Sequence, residues 1–200
     1  LEKDGFPPLR IKGRKLKGGE VYLSGNISSQ FISALLMVAP LMENGLIMHI
    51  EKKIVSKPYI DLTMAMMAQC GVTAKWSGND ILVKPQQYQP IELVVETDWS
   101  AASYWYELVA LMPGAEVKLP GLKKKSLQGD ANVANLFSDL GVTTEYLEDG
   151  AIIRHAKKKA KKFFHDFVNE PDLAQTFAAT CCFMGIPFIF SGIQSLKIKE

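Results

Sequence analysis

Ser28-Ser29-Gln30 stands directly before the apolar run 31–39, and Ser56-Lys57-Pro58-Tyr59 opens a second helical pattern one helix later. A helix start carries unpaired N–H groups and a partial positive charge. Hydroxyl and amide side chains placed there suit an anion such as a phosphate, held by hydrogen bonds rather than by salt bridges. The same serines can equally cap their own helices, and either cluster taken alone is compatible with capping only. The histidines (His49, His155, His165) and cysteines (Cys70, Cys181, Cys182) have no metal-ligand spacing, so no metal site is expected.

The elements that must position these clusters recur along the chain. Gly45, Gly114 and Gly185 each end an apolar helix-like run and are followed by Ser56, Ser126 and Ser195, which lie about 70 residues apart, the signature of one supersecondary unit used repeatedly. Gly71-Val72-Thr73 likewise recurs as Gly141-Val142-Thr143. The first unit reads as strand 20–23, helix 28–40, strand 46–51, helix 58–70 and strands 72–76 and 81–84 around Ser77-Gly78-Asn79-Asp80. The second reads as strand 91–96, helix 100–111, strand 115–119, helix 129–140 and strands 142–147 and 151–154. The third begins with strand 164–168, helix 171–184 and strand 187–191, then stops.

Helix 28–40 is apolar on nearly every side and is expected to be buried. Buried helices with short alternating strands predict an α+β fold of repeated βαβαββ units, with sheets outside and helices inside, unlike a doubly wound parallel sheet. A domain boundary is expected near Val95. Residues 1–95 then form the C-terminal part of one domain, and 96–200 the N-terminal part of a second that is cut within its second unit.

Composition narrows the function classes. With 48% hydrophobic and 22% charged residues the chain can build a core. A net charge of +2 is too small to imply nucleic acid. The Lys123-Lys124-Lys125 and 157–162 tracts could serve a nucleic-acid-binding module, but they lack interleaved aromatics and read as solvated turns. The apolar stretches 31–41 and 177–190 are short for a membrane span or broken by Gly and Pro, and no signal peptide is visible. Three cysteines without a pairing framework fit a cytoplasmic protein. Leu1 in place of an initiator Met fits a piece of a longer chain.

Together the motifs are more specific. Ser28-Ser29-Gln30-Phe31 and Ser56-Lys57-Pro58-Tyr59-Ile60-Asp61 are joined by Pro7-Pro8-Leu9-Arg10-Ile11, Ala101-Ala102-Ser103-Tyr104, Leu127-Gln128-Gly129-Asp130, Pro171-Asp172-Leu173-Ala174 and Lys197-Ile198-Lys199-Glu200. In this order the chain resembles, over essentially its whole length, the 5-enolpyruvylshikimate-3-phosphate synthases (3-phosphoshikimate 1-carboxyvinyltransferases). The resemblance implies six βαβαββ units in two domains and a monomeric full-length protein. The implied reaction transfers the enolpyruvyl group of phosphoenolpyruvate to the 5-hydroxyl of shikimate 3-phosphate, with release of phosphate and without a cofactor.

Residue by residue, the resemblance implies that Ser28, Ser29 and Ser56 hold the shikimate phosphate, that Gln30 touches both substrates, and that Tyr59 lines the shikimate side. It makes Asp172 the acceptor of the shikimate hydroxyls and of a proton, Lys199 a group near the reacting hydroxyl, and Glu200 an acid for the enolpyruvyl methylene. Ser195 falls where some members have Asn. Adding an alcohol across an enol double bond needs a base at the hydroxyl and an acid at carbon, and a helix start favours an ionised Asp172.

Phosphoenolpyruvate calls for bidentate arginines, yet Arg10, Arg14 and Arg154 lie in no recognised anion motif. The chain is therefore expected to keep part of the shikimate-phosphate half-site and to lack turnover. The alternative enzyme is the sibling UDP-N-acetylglucosamine enolpyruvyltransferase. It uses a cysteine-bearing loop, whereas the cysteines here sit in apolar helical runs.

Overall fold

Strand β1 (Gly19–Ser24) pairs in parallel with β2 (Leu46–Glu51), Gly19 opposite Leu46. Parallel neighbours need a crossover, here α1 (Ser29–Val38) and the 3₁₀ turn Ala39–Leu41. After α2 (Lys57–Gln69), β3 (Ala74–Ser77) and β4 (Asp80–Val83) form a hairpin, and β4 returns antiparallel to β2, giving the order β1-β2-β4-β3. The structure, a computed structural model, describes residues 6–26, 28–157 and 159–198, with 197 and 198 in backbone alone. Alternate residues of β2 (Leu46, Met48, Ile50) face inward with Ile81 and Val83 of β4, and close a core with Ile32, Leu36 and Ile60 of the two helices.

The second half repeats the plan. It comprises α3 (Trp99–Leu111), β5 (Glu116–Pro120), a 3₁₀ turn (Gly129–Asn132) running into α4 (Val133–Asp139), then β6 (Val142–Leu147) and β7 (Gly150–His155). The sheet order β5-β7-β6 reproduces β2-β4-β3. Val72 and Val142 occupy equivalent places and are both fully buried. Gly45, Gly114 and Gly185 have φ of 66°, 77° and 61°, so each run ends in the left-handed turn that glycine alone adopts cheaply.

Strand β8 (Phe163–Asp166), the 3₁₀ turn Pro171–Leu173, α5 (Ala174–Phe183) and β9 (Phe188–Ser191) follow, with β8 and β9 parallel. Phe177 of α5 sits among Phe137, Phe163 and Phe167, with ring centroids at 4.5, 5.2 and 5.6 Å. Helix α3 packs against α5 on one side and the three-stranded sheet on the other, and β8-β9 closes α5 from outside. Helices inside and sheets outside is the arrangement expected from the sequence.

Two expectations need correction. Helix α1 is not buried all round: Ile32 and Leu36 face the core, while Phe31 is 63% exposed, and Met37 and Val38 also face outward. The sheet covers only one face of this helix, and no described element covers the other. Segment 91–96 is not a strand. A run with strand-like composition becomes a strand only where a neighbour supplies the ladder, and among the described residues β5 is hydrogen-bonded on its β7 side only. Val94 and Val95 instead stand exposed at the mouth of a cavity beside α2.

Candidate functional site

A cleft of ≈ 910 Å³ opens where three helix starts and the 3₁₀ turn Gln194–Ile198 approach one another, and Ser28, Gln30, Asp98, Ser100, Asp172 and Ser195 line it. Each helix start contributes differently. Ser28 caps α1 by accepting a hydrogen bond from the Gln30 amide at 3.4 Å. Capping uses Oγ as acceptor, so the O–H remains able to donate into the cleft. Asp98 caps α3, its carboxylate accepting from the amides of Ser100 and Ala101 at 2.8 and 3.2 Å. Asp172 occupies the first turn of the 3₁₀ segment leading into α5.

Ser195 is 6% exposed, and its Oγ is a buried polar atom without a hydrogen-bond partner among the described residues. A buried hydroxyl left in that state costs stability, and this one borders the cleft. The lining is electrically two-sided. Ser28, Gln30 and Ser195 offer neutral donors, while Asp98 and Asp172 present carboxylates. An anion fits the first group, and hydroxyls or other donors fit the second.

The start of α2 is turned elsewhere. Ser29 and Ser56 are buried and do not line the cleft. Ser56 adopts a left-handed backbone (φ 57°), its amide donating to the Val168 carbonyl at 2.8 Å, and Pro58 has no amide hydrogen. Two of the donors expected to face an anion are thus used or absent. Lys57 binds Asp61 at 2.9 Å and lies 4.4 Å above the Trp76 ring. This end of α2 docks the first core onto the second.

A Cβ added at Gly129 would stand 2.7 Å from Cβ of Pro58, a rigid ring. Gly129→Ala should therefore cost about 1–3 kcal/mol by overpacking. The loss should be read as a lower urea midpoint, with amide shifts concentrated at 56–60 and 128–131.

Tyr59 reaches across this junction. Its hydroxyl lies 3.1 Å from both carboxylate oxygens of Asp130 and 3.1 Å from Oδ2 of Asp172. Asp130 is 2% exposed and also accepts the Ser100 hydroxyl. Burial pushes the Asp130 carboxyl above its ordinary value, against the opposing pull of the Ser100 and Tyr59 hydrogen bonds; Asp172 and Glu170 add to the rise. A group whose folded value is raised favours the fold while protonated, and that contribution is lost as pH climbs through the folded value. Burial, then the flanking carboxylates, also push the Tyr59 phenol up, so it stays neutral.

Among the expected site residues the structure thus brings Ser28, Gln30, Asp172 and Ser195 to one cleft, with Tyr59 one hydrogen bond behind Asp172. Lys199 and Glu200 lie outside the described residues. Sequence reasoning missed Asp98, Ser100 and the position of Asp130. For Asp98 a signal existed, since Asp directly ahead of the apolar run 99–111 has the pattern of an N-cap. Gln128 was quoted only as part of a motif. Its side-chain oxygen accepts the Trp99 amide at 2.9 Å and its amide donates to the Thr97 carbonyl at 2.9 Å, which fixes the entry to α3.

The family model for EPSP synthase (3-phosphoshikimate 1-carboxyvinyltransferase) matches residues 1–200. The chain belongs to the EPSP synthase family. A 3-phosphoshikimate 1-carboxyvinyltransferase of Bacteroides fragilis is 51% identical over 201 residues, covering 100% of this chain and 49% of that protein. One of Shewanella baltica is 39% identical over 203 residues, covering 100% of this chain and 47% of that protein. The chain therefore spans about half the length of the curated relatives it matches. An EPSP synthase structure from Acinetobacter baumannii aligns with a TM-score of 0.46 and 16% identity, over 97% of this chain and 62% of that one.

Family membership disfavours the sibling enzyme, and the thiols agree. Burial pushes the Cys181 thiol up to about 11, away from a reactive thiolate. Cys182, placed in the core by its apolar surroundings, is exposed on the outer side of α5. Among the described residues no helix is long and apolar enough to cross a membrane, and no group of His, Cys, Asp and Glu could hold a metal ion.

Proposed function

We propose that this chain carries part of the shikimate 3-phosphate half of an enolpyruvyl transferase site. The whole reaction joins phosphoenolpyruvate to the 5-hydroxyl of shikimate 3-phosphate and releases phosphate, using no cofactor. Ser28, Gln30 and Ser195 take the anionic side; the resemblance adds Ser29 and Ser56 to the phosphate grip, although both stand outside the lining of this cleft. Gln30 also meets phosphoenolpyruvate. Asp172 receives the shikimate hydroxyls and acts as proton acceptor, Tyr59 lines the shikimate side, and Lys199 and Glu200 serve at the reacting hydroxyl and the methylene carbon. The reading includes 1–95 and 96–200 as parts of two domains of a cytoplasmic, monomeric protein that binds no nucleic acid.

The observation that carries this reading is the buried Ser195 hydroxyl, without a partner among the described residues, on the cleft that also gathers Ser28, Gln30 and Asp172. A ligand oxygen there satisfies it. Titrating shikimate 3-phosphate into the 200-residue chain should shift the Ser28, Gln30 and Ser195 amides saturably. Uniformly unshifted amides at millimolar ligand would sink the proposal.

Turnover is a separate matter. The described lining of the cleft includes no arginine, and Arg154 is held on the three-stranded sheet by Glu116 and Glu145. The chain incubated with both substrates should release no inorganic phosphate above background; measurable release would contradict this assignment.

A further inference from the structure

The proton inventory around Tyr59 does not close if both neighbouring carboxyls are ionised. A phenol owns one hydrogen, yet its oxygen lies 3.1 Å from Asp130 and 3.1 Å from Asp172. That hydrogen can satisfy one carboxylate. The other then meets the phenolic lone pair oxygen to oxygen, with no hydrogen between, inside a poorly solvated junction.

One added proton closes the contacts between Tyr59 and the two carboxyls. If it sits on Asp130, Asp130 donates to the Tyr59 oxygen, Tyr59 donates to Asp172, and the second Asp130 oxygen still accepts the Ser100 hydroxyl. If it sits on Asp172, the chain runs the other way and leaves the charge on Asp130. Burial decides between the two. Asp130 is 2% exposed, whereas Asp172 is half-buried and borders the open cleft, and a charge is cheaper where water reaches it.

We propose that Asp130 and Asp172 share a single proton through the Tyr59 hydroxyl and that Asp130 keeps it, leaving Asp172 as the charged acceptor that faces the cleft. Asp130 is then a positioning residue. It touches no substrate, but it sets the direction of the Tyr59 hydrogen bond and thereby the ionisation of the group that does. The proposal rests on the shikimate 3-phosphate reading for its purpose, not for its geometry.

The surroundings agree. Glu170, at the head of the Asp172 turn, adds negative charge that favours a proton on Asp130. Its own carboxylate is engaged by His165 and Asn132 at 2.9 and 2.8 Å. On the opposite side, Lys123, Glu96 and Asp98 border the ≈ 440 Å³ cavity that Asp130 and Tyr59 also line. The upward push of burial on Asp130 acts in the direction the proposal needs.

The test is a pH titration of this chain labelled with carboxyl-¹³C aspartate, in the wild type and in Asp130→Asn and Tyr59→Phe. Asp130 should gain its proton at a higher pH than Asp172, and each resonance should feel the other's step, as a coupled pair does. Asp130→Asn should move the Asp172 curve, and Tyr59→Phe should reduce the coupling. Asp172 protonating first, or an Asp172 curve unmoved by a folded Asp130→Asn, would overturn the proposal. If that variant does not fold, the order of the two steps in the wild type decides. Adding shikimate 3-phosphate to the same samples separates the two ideas. Loss of binding with the proton order intact counts against the function, and the reverse result counts against Asp130.

Discussion

Replacing Asp172 by alanine should weaken binding of shikimate 3-phosphate to this chain roughly 10- to 100-fold, the equivalent of ~1.5–3 kcal/mol for a hydrogen bond to a charged group. The carboxylate stands at the head of a 3₁₀ turn on the cleft wall and is oriented by the Tyr59 hydroxyl. Removing it takes the hydroxyl-accepting side from the cleft while leaving Ser28, Gln30 and Ser195 in place. The phosphate side should therefore still respond. Isothermal titration gives the affinity, and amide shifts at Ser28 and Ser195 show whether the remaining grip survives. Asp172→Asn, of nearly the same size, guards against a folding defect and should lose affinity in the same direction. Unchanged affinity in both folded variants would remove Asp172 from the site.

The second large effect is structural. Phe177→Ala should cost about 3–5 kcal/mol, since a fully buried aromatic leaves both lost transfer energy and a cavity. For a chain of this size that corresponds to a fall in Tm of about 6–20 °C. Phe177 is 0% exposed and meets Phe137 of α4, Phe163 of β8 and Phe167 of the turn after β8, so no single neighbour can collapse into the space. The buried residues fall into two clusters, one within 32–83 and one within 99–186. Hydrogen exchange should therefore show protection lost first in α3, α4 and α5, and later in β1–β4. Uniform loss across both halves would mean that the junction around Tyr59 couples the cores more tightly than its few contacts suggest.

Much of the fold was legible because its signals are local. A left-handed turn demands glycine, a tight hairpin demands residues such as Gly78-Asn79, and Pro58 in a first helical turn announces α2. Repetition made these signals mutually supportive: Gly71-Val72 and Gly141-Val142 play one part in two sheets of the same order. The misreadings came where a local pattern needed a distant partner. Segment 91–96 has the apolar, valine-rich composition of a strand but no neighbour to ladder with among the described residues, and α1 has the composition of a buried helix but one covered face.

The site divides in the same way. Which family the chain belongs to was readable from residue type, spacing and order, and the same signals nominated candidates for a phosphate and for a hydroxyl acceptor. Chain folding alone determined that the starts of α1, α3 and α5 converge while α2 turns away to dock, that the Ser195 hydroxyl has no partner among the described residues, and that Asp130 stands behind Tyr59. The physical reason is range. Capping, turn formation and alternation act within a few residues of one another. The direction of a helix axis and the desolvation of a carboxyl are set by groups far away in sequence, as the 71 and 113 positions separating Tyr59 from its two carboxylates show.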